Sequence, residues 1–258
     1  MKSISKNFIF GCLAIWTVAY IAGILISSTL DSQFGGYFGV STARSLVWIL
    51  LLVTQFFFVR NLKKTQSERF YLVSLYIAFA VWILFAAVGT RSIPLIVSIP
   101  LVFLSWQFYR ESDPTSGKVF KQVKNMLTPG LLFSWSLVAL LASLSSFWYS
   151  DTVTVILLFS MVFVAAVLAH LKADAVTSLV FSYASFMVGI NNTGTSYSVA
   201  TAGFSIGTIL LINCLFALLI STEDPSKRVF AQVNPPKQEE VDLKIKLEKK
   251  TTRKRGNL

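Results

Sequence analysis

What this chain lacks most is chemistry at the depth of its apolar runs. One histidine, His170, and two cysteines, Cys12 and Cys214, are its whole stock of imidazole and thiol ligands. There is no Cys-x-x-Cys, so zinc and c-type haem sites lack an adequate ligand set, and no metal or cofactor is expected. The cysteines sit in apolar runs near opposite ends of the chain and read as buried thiols, not as a disulfide. No paired acids of the Asp-x-x-x-Asp kind, and no Ser-His or Cys-His set, stand at membrane depth, which makes an embedded enzyme the weakest reading. With no lysine inside an apolar run to carry a Schiff base, a retinal protein is set aside too. Only 14% of the residues are charged.

What is present in excess is apolar surface. Hydrophobic residues make up 54% of the 258, and the mean hydropathy is +0.66, which no water-soluble single-core domain would tolerate. Eight runs stand out: Phe8 to Ile26, Ser45 to Val59, Phe70 to Val88, Ile93 to Tyr109, Leu131 to Trp148, Thr152 to Leu171, Ala175 to Ile190 and Ala200 to Ile220. Lys2 and Lys6 give the first the look of a secretory leader. It lacks a convincing small-x-small cleavage site and exceeds the usual leader core, so an uncleaved anchor helix is expected. Ser45 to Val59 and Ala175 to Ile190 are short for a span of roughly twenty residues.

A repeated elbow organises the chain. Glu111 to Val123, ESDPTSGKVFKQV, returns as Glu223 to Val233, EDPSKRVFAQV. Each copy follows an apolar run, places Asp before Pro (Asp113-Pro114, Asp224-Pro225), and passes a basic residue into Val-Phe-x-Gln-Val, with Phe120 answering to Phe230. Asp is suited to the N-cap and Pro to the first helical position, so each elbow predicts a short interfacial helix. Further pairs keep nearly the same register, Lys6 with Lys124 and Lys63 with Lys172; the step shortens once, where the first half has a Gly-rich linker and the second a Ser-Asp turn. The fold expected is therefore an all-α membrane protein of eight transmembrane helices. It divides into two tandem parallel four-helix repeats (1–124 and 125–233) and a basic tail (234–258).

Charge sidedness orients that scheme. In it, all but Arg44 and Arg91 of the 23 Lys and Arg fall on one side, which the positive-inside rule assigns to the cytoplasm together with both termini. The formal charge of +11 is thereby accounted for without nucleic acid. The partners expected are the bilayer itself, anionic headgroups at the basic loops and tail, and a membrane protein or second copy of the chain. The plasma or inner membrane is the expected location.

Several features carry two readings. Pro100, near the middle of the fourth run, and Asn213, in the eighth, fit a central substrate path together with Ser182 and Ser185 of the seventh; they also fit ordinary kinking and helix–helix packing. Arg44, Arg91, Asp31 and Asp151 form an entrance ring on the outer side or are surface charges at helix ends. His170, Lys172 and Asp174 make an inner-face polar cluster, either proton-linked or a plain interfacial turn. Asn191-Asn192-Thr193 is a glycosylation sequon of the kind common by chance. Two functions follow: a passive or weakly coupled transporter or channel for a small solute between two similar halves, or a non-catalytic accessory subunit that holds other membrane proteins.

Overall fold

A computed structural model describes residues 4–29, 46–60, 66–90, 92–111 and 119–221. They form helices α1 (Lys6–Thr29), α2 (Leu46–Arg60), α3 (Gln66–Ala87), α4 (Ser92–Arg110), α5 (Val119–Trp148), α6 (Asp151–Lys172), α7 (Ala175–Asn191) and α8 (Tyr197–Ser221), with no strand among the described residues. Six of them are long and apolar enough to cross a membrane, and α2 and α7 are the shorter pair. Their outward faces carry Phe163, Leu219, Val18 and Ile96, each more than half exposed. Such a continuous apolar surface fits lipid and not water, so the chain has the character of a multi-pass helical membrane protein.

The helices alternate up and down. At one end of the bundle, Lys6 at the start of α1 reaches the last carbonyl of α2, Phe58 of α2 meets Phe108 near the end of α4, and Tyr109 stacks on Phe133 near the start of the apolar part of α5. The end of α6, the start of α7 and the last turns of α8 join them there. At the opposite end, Asp151 at the start of α6 meets Ser196 and Ser198 at the start of α8. The beginning of α1 and the end of α8 thus share one end, and so do all the described Lys and Arg side chains: Lys6, Arg60, Arg69, Arg110 and Lys172.

Aromatic stacking and small residues decide which helices touch. Trp16 of α1 lies stacked against Tyr76 and Phe79 of α3, with ring centroids 5.3 and 5.2 Å apart, and Gly23 lets α1 close on Ile83. From α1 the packing passes to α3, α4, α5, α7 and α8, with α6 against α8, while α2 lies against α1 and α5. In both halves the first helix packs on the third and the third on the fourth. The halves meet chiefly through α4 and α5, and α8 does not pack closely on α1 among the described residues.

One element differs from expectation. Val119 to Trp148 is a single helix of 30 residues running through Pro129, so residues 119–130 form its first turns and not a separate elbow helix. At 1.5 Å per residue α5 is about 45 Å long, enough to cross a ~30 Å hydrocarbon layer and still reach through the headgroups. The expected boundary between the repeats at residue 124 falls inside this helix. The short α7 meets the opposite constraint: it is walled in by α5, α6 and α8, so its 17 residues need not match the lipid thickness.

Candidate functional site

Among the described residues, buried polar contacts gather at a node where α6 turns into α7 and along a seam between α7 and α8. Ala173 closes α6 in the left-handed conformation (φ 50°, ψ 43°), its N–H bonding back to the Leu168 carbonyl, and α7 begins two residues later. Asp174 is its N-cap. Oδ1 accepts from the N–H groups of Val176 and Thr177 at 2.9 and 3.1 Å, while Oδ2 accepts from the Thr177 hydroxyl at 2.5 Å and the Tyr109 hydroxyl at 2.6 Å. Four donors converge on one carboxyl group that is 1% exposed. Satisfying the first N–H groups of a helix is the usual work of a capping Asp; the fourth bond reaches from α4 in the other half of the chain.

Lys172 completes the crossing. Its ammonium lies 3.1 Å from the Tyr109 carbonyl and 3.4 Å from that of Arg110, the last turn of α4, and 4.4 Å from the centre of the Tyr109 ring. A cation there meets unsatisfied carbonyls and the negative end of the helix dipole. At 5% exposure it could hardly be held without them. His170 does not join this group. The i, i+4 spacing that pairs it with Asp174 holds only on a continuous helix; the left-handed turn at Ala173 interrupts it, leaving His170 exposed on α6 while Asp174 is buried.

Along the seam, Gly203 faces Gly189 so closely that a Cβ on Gly203 would lie 2.6 Å from the Gly189 nitrogen. Ser182 donates to the Gly207 carbonyl at 2.7 Å, and Asn213 donates to Ser178 at 2.9 Å. Ser185 lies 3.8 Å from the sulfur of Met161 on α6. Three of the path candidates, Asn213, Ser182 and Ser185, are thus brought onto the contacts of α7 with its neighbours. Pro100 is not; it lies on the exposed face of α4. Serines of α5 behave like those of α7, Ser143 accepting from the Trp82 indole at 3.2 Å and Ser145 lying 2.9 Å from Thr154.

At the far end, Asp151 accepts from the hydroxyls of Ser196 and Ser198. Its proposed companions Arg44, Arg91 and Asp31 lie outside the described residues, as do Asp113, Pro114, Asp224, Pro225 and Phe230; Phe120 falls in the first turn of α5. The sequon's acceptor Asn191 is exposed, and Asn192 beside it is buried, its amide donating to the Val188 carbonyl. No group of three or more His, Cys, Asp or Glu residues able to hold a metal occurs among the described residues.

Sequence reasoning missed Tyr109, Gln55 and Tyr76. Tyr76 donates to the Gln55 carbonyl oxygen at 2.9 Å, both side chains are fully buried, and the Gln55 amide nitrogen has no partner among the described residues. A glutamine midway along an apolar run was the one available signal. No family model, curated protein or solved structure matches this chain.

Proposed function

We propose that this protein is a non-catalytic accessory subunit that holds another membrane protein, or a second copy of itself, within the plasma or inner membrane. Both termini face the cytoplasm in this reading, and two tandem copies of a four-helix unit make up the bundle. The observation that carries it is the α7–α8 seam. The side chains best suited to line a solute path there are bonded to neighbouring helices, and the backbones touch at Gly189 and Gly203, leaving a closely packed seam behind an apolar belt. The cytoplasmic orientation is supported by the gathering of Lys6, Arg60, Arg69, Arg110 and Lys172 at one end. Like packing of first helix on third and third on fourth in both halves supports the duplication. Native purification tests the function: a stoichiometric membrane partner or a discrete homo-oligomer is expected, with no solute flux or current after reconstitution alone. Robust flux from the isolated protein would refute it.

A second reading, passage of a small polar solute, is favoured by Gln55. Its leftover amide donor, buried beside the Tyr76 hydroxyl, suits an oxygen of a passing guest. On that reading Gln55→Leu changes flux while folded yield holds. Pro100→Ala and Asn213→Leu would do the same if those residues also belonged to the path.

A further inference from the structure

Three helix ends come together where α1 begins, α2 ends and α3 begins, and each carries a cationic residue, Lys6, Arg60 and Arg69. The Lys6 ammonium donates to the Arg60 carbonyl at 3.0 Å, and Arg69 Nη1 donates to the Ile4 carbonyl at 2.9 Å. These two bonds fix the side chains to backbone carbonyls without neutralising them. Lys6 and Arg60 are exposed and Arg69 half-buried. Glu68, in the first turn of α3, is buried, and even with its charge counted the notch stays net positive.

The same helices carry exposed phenylalanines within about a turn of these cations: Phe8 beside Lys6, Phe56 and Phe57 before Arg60, and Phe70 after Arg69. Cations at the bundle end with exposed aromatic rings within about a turn of them match the two parts of a phospholipid. A free phosphate would use only the first, and an acidic peptide would have no reason to meet the rings.

We propose that Lys6, Arg60 and Arg69 form a binding site for the phosphodiester headgroup of an anionic phospholipid, whose acyl chains lie along Phe8, Phe56, Phe57 and Phe70. The site needs only the membrane placement common to both functional readings, so its failure leaves either of them standing. Arginine and lysine supply the donors, and three helix ends held by one headgroup tie the loosely packed α2 to α1 and α3.

The test is native mass spectrometry of the full chain released from mixed phosphatidylglycerol and phosphatidylcholine bilayers. The wild type is expected to retain one phosphatidylglycerol in preference to phosphatidylcholine, and excess inorganic phosphate should not displace it. Arg60→Gln removes a side chain that makes no hydrogen bond among the described residues, so it should fold normally and retain the lipid roughly fivefold less well, the effect of one basic residue at an anionic surface. The K6Q/R60Q/R69Q triple variant should lose the lipid, with circular dichroism confirming its helices, while Arg110→Gln at the same bundle end should match wild type. Equal retention of the two lipids, equal losses in R60Q and R110Q, or displacement by inorganic phosphate would each overturn the proposal.

Discussion

Tyr109 and Asp174 join the two halves of the chain through a single buried bond, and its strength can be isolated. Replacing Asp174 with Ala removes the N-cap of α7, at about 1 kcal/mol. It also orphans the buried Tyr109 hydroxyl, at about 1 to 3 kcal/mol, while the Thr177 hydroxyl keeps Ser134 as a partner at 3.1 Å. The expected total is therefore about 2 to 4 kcal/mol. Tyr109→Phe keeps the ring stacked on Phe133 and beneath Lys172, and leaves Asp174 three of its four donors, so it should cost about 1 kcal/mol. Because the hydroxyl orphaned by the first change is absent after the second, the double variant should be milder than the sum of its parts, with a coupling of about 1 to 2 kcal/mol. Asp174→Asn, which can still accept at the cap, should fall between wild type and Asp174→Ala. The assay is reversible unfolding in mixed detergent micelles, followed by helical circular dichroism. Additivity of Y109F and D174A within about 0.5 kcal/mol would show that the two side chains do not interact, and the join between α4 and α7 would have to be sought elsewhere.

Three further outcomes are expected. Gly203→Ala drives a methyl into the backbone of α7 and should destabilise by at least about 1 to 3 kcal/mol, whereas Gly11→Ala, with nothing within 4 Å of the added carbon, should be neutral or stabilise by up to about 1 kcal/mol; similar melts for the two variants would refute the close seam. Ala173→Gly relieves a left-handed backbone and should raise stability by about 1 kcal/mol in the same unfolding assay, an unchanged or lower value counting against that geometry. Single cysteines at residues 66, 117 and 250, in a chain freed of Cys12 and Cys214, should all label from the cytoplasmic side; labelling from opposite sides would break the proposed topology.

The positions of the helices were legible from the chain alone. Thr152 to Leu171 became Asp151–Lys172 and Ala175 to Ile190 became Ala175–Asn191, because in lipid every backbone group must be satisfied within its own segment and the breaks are marked by local charge, Gly and turn residues. The separate elbow helix expected after Asp113-Pro114 is absent because α5 continues through Pro129-Gly130, both residues buried in the bundle and Gly130 against Val176 of α7. The serine stripe of α7 was visible as a stripe, but its use was not, since a hydroxyl suits water and a neighbouring carbonyl equally well. Only the packing of α8 gave Ser182 the Gly207 carbonyl. Likewise Lys172 and Asp174 were marked by being charged beside an apolar run, while Tyr109, which holds both, lies 63 and 65 residues away along the chain. Hydropathy is a property of each segment and can be read in order along it; which segment lies beside which depends on shape and on paired donors and acceptors, and those exist only once the helices are together.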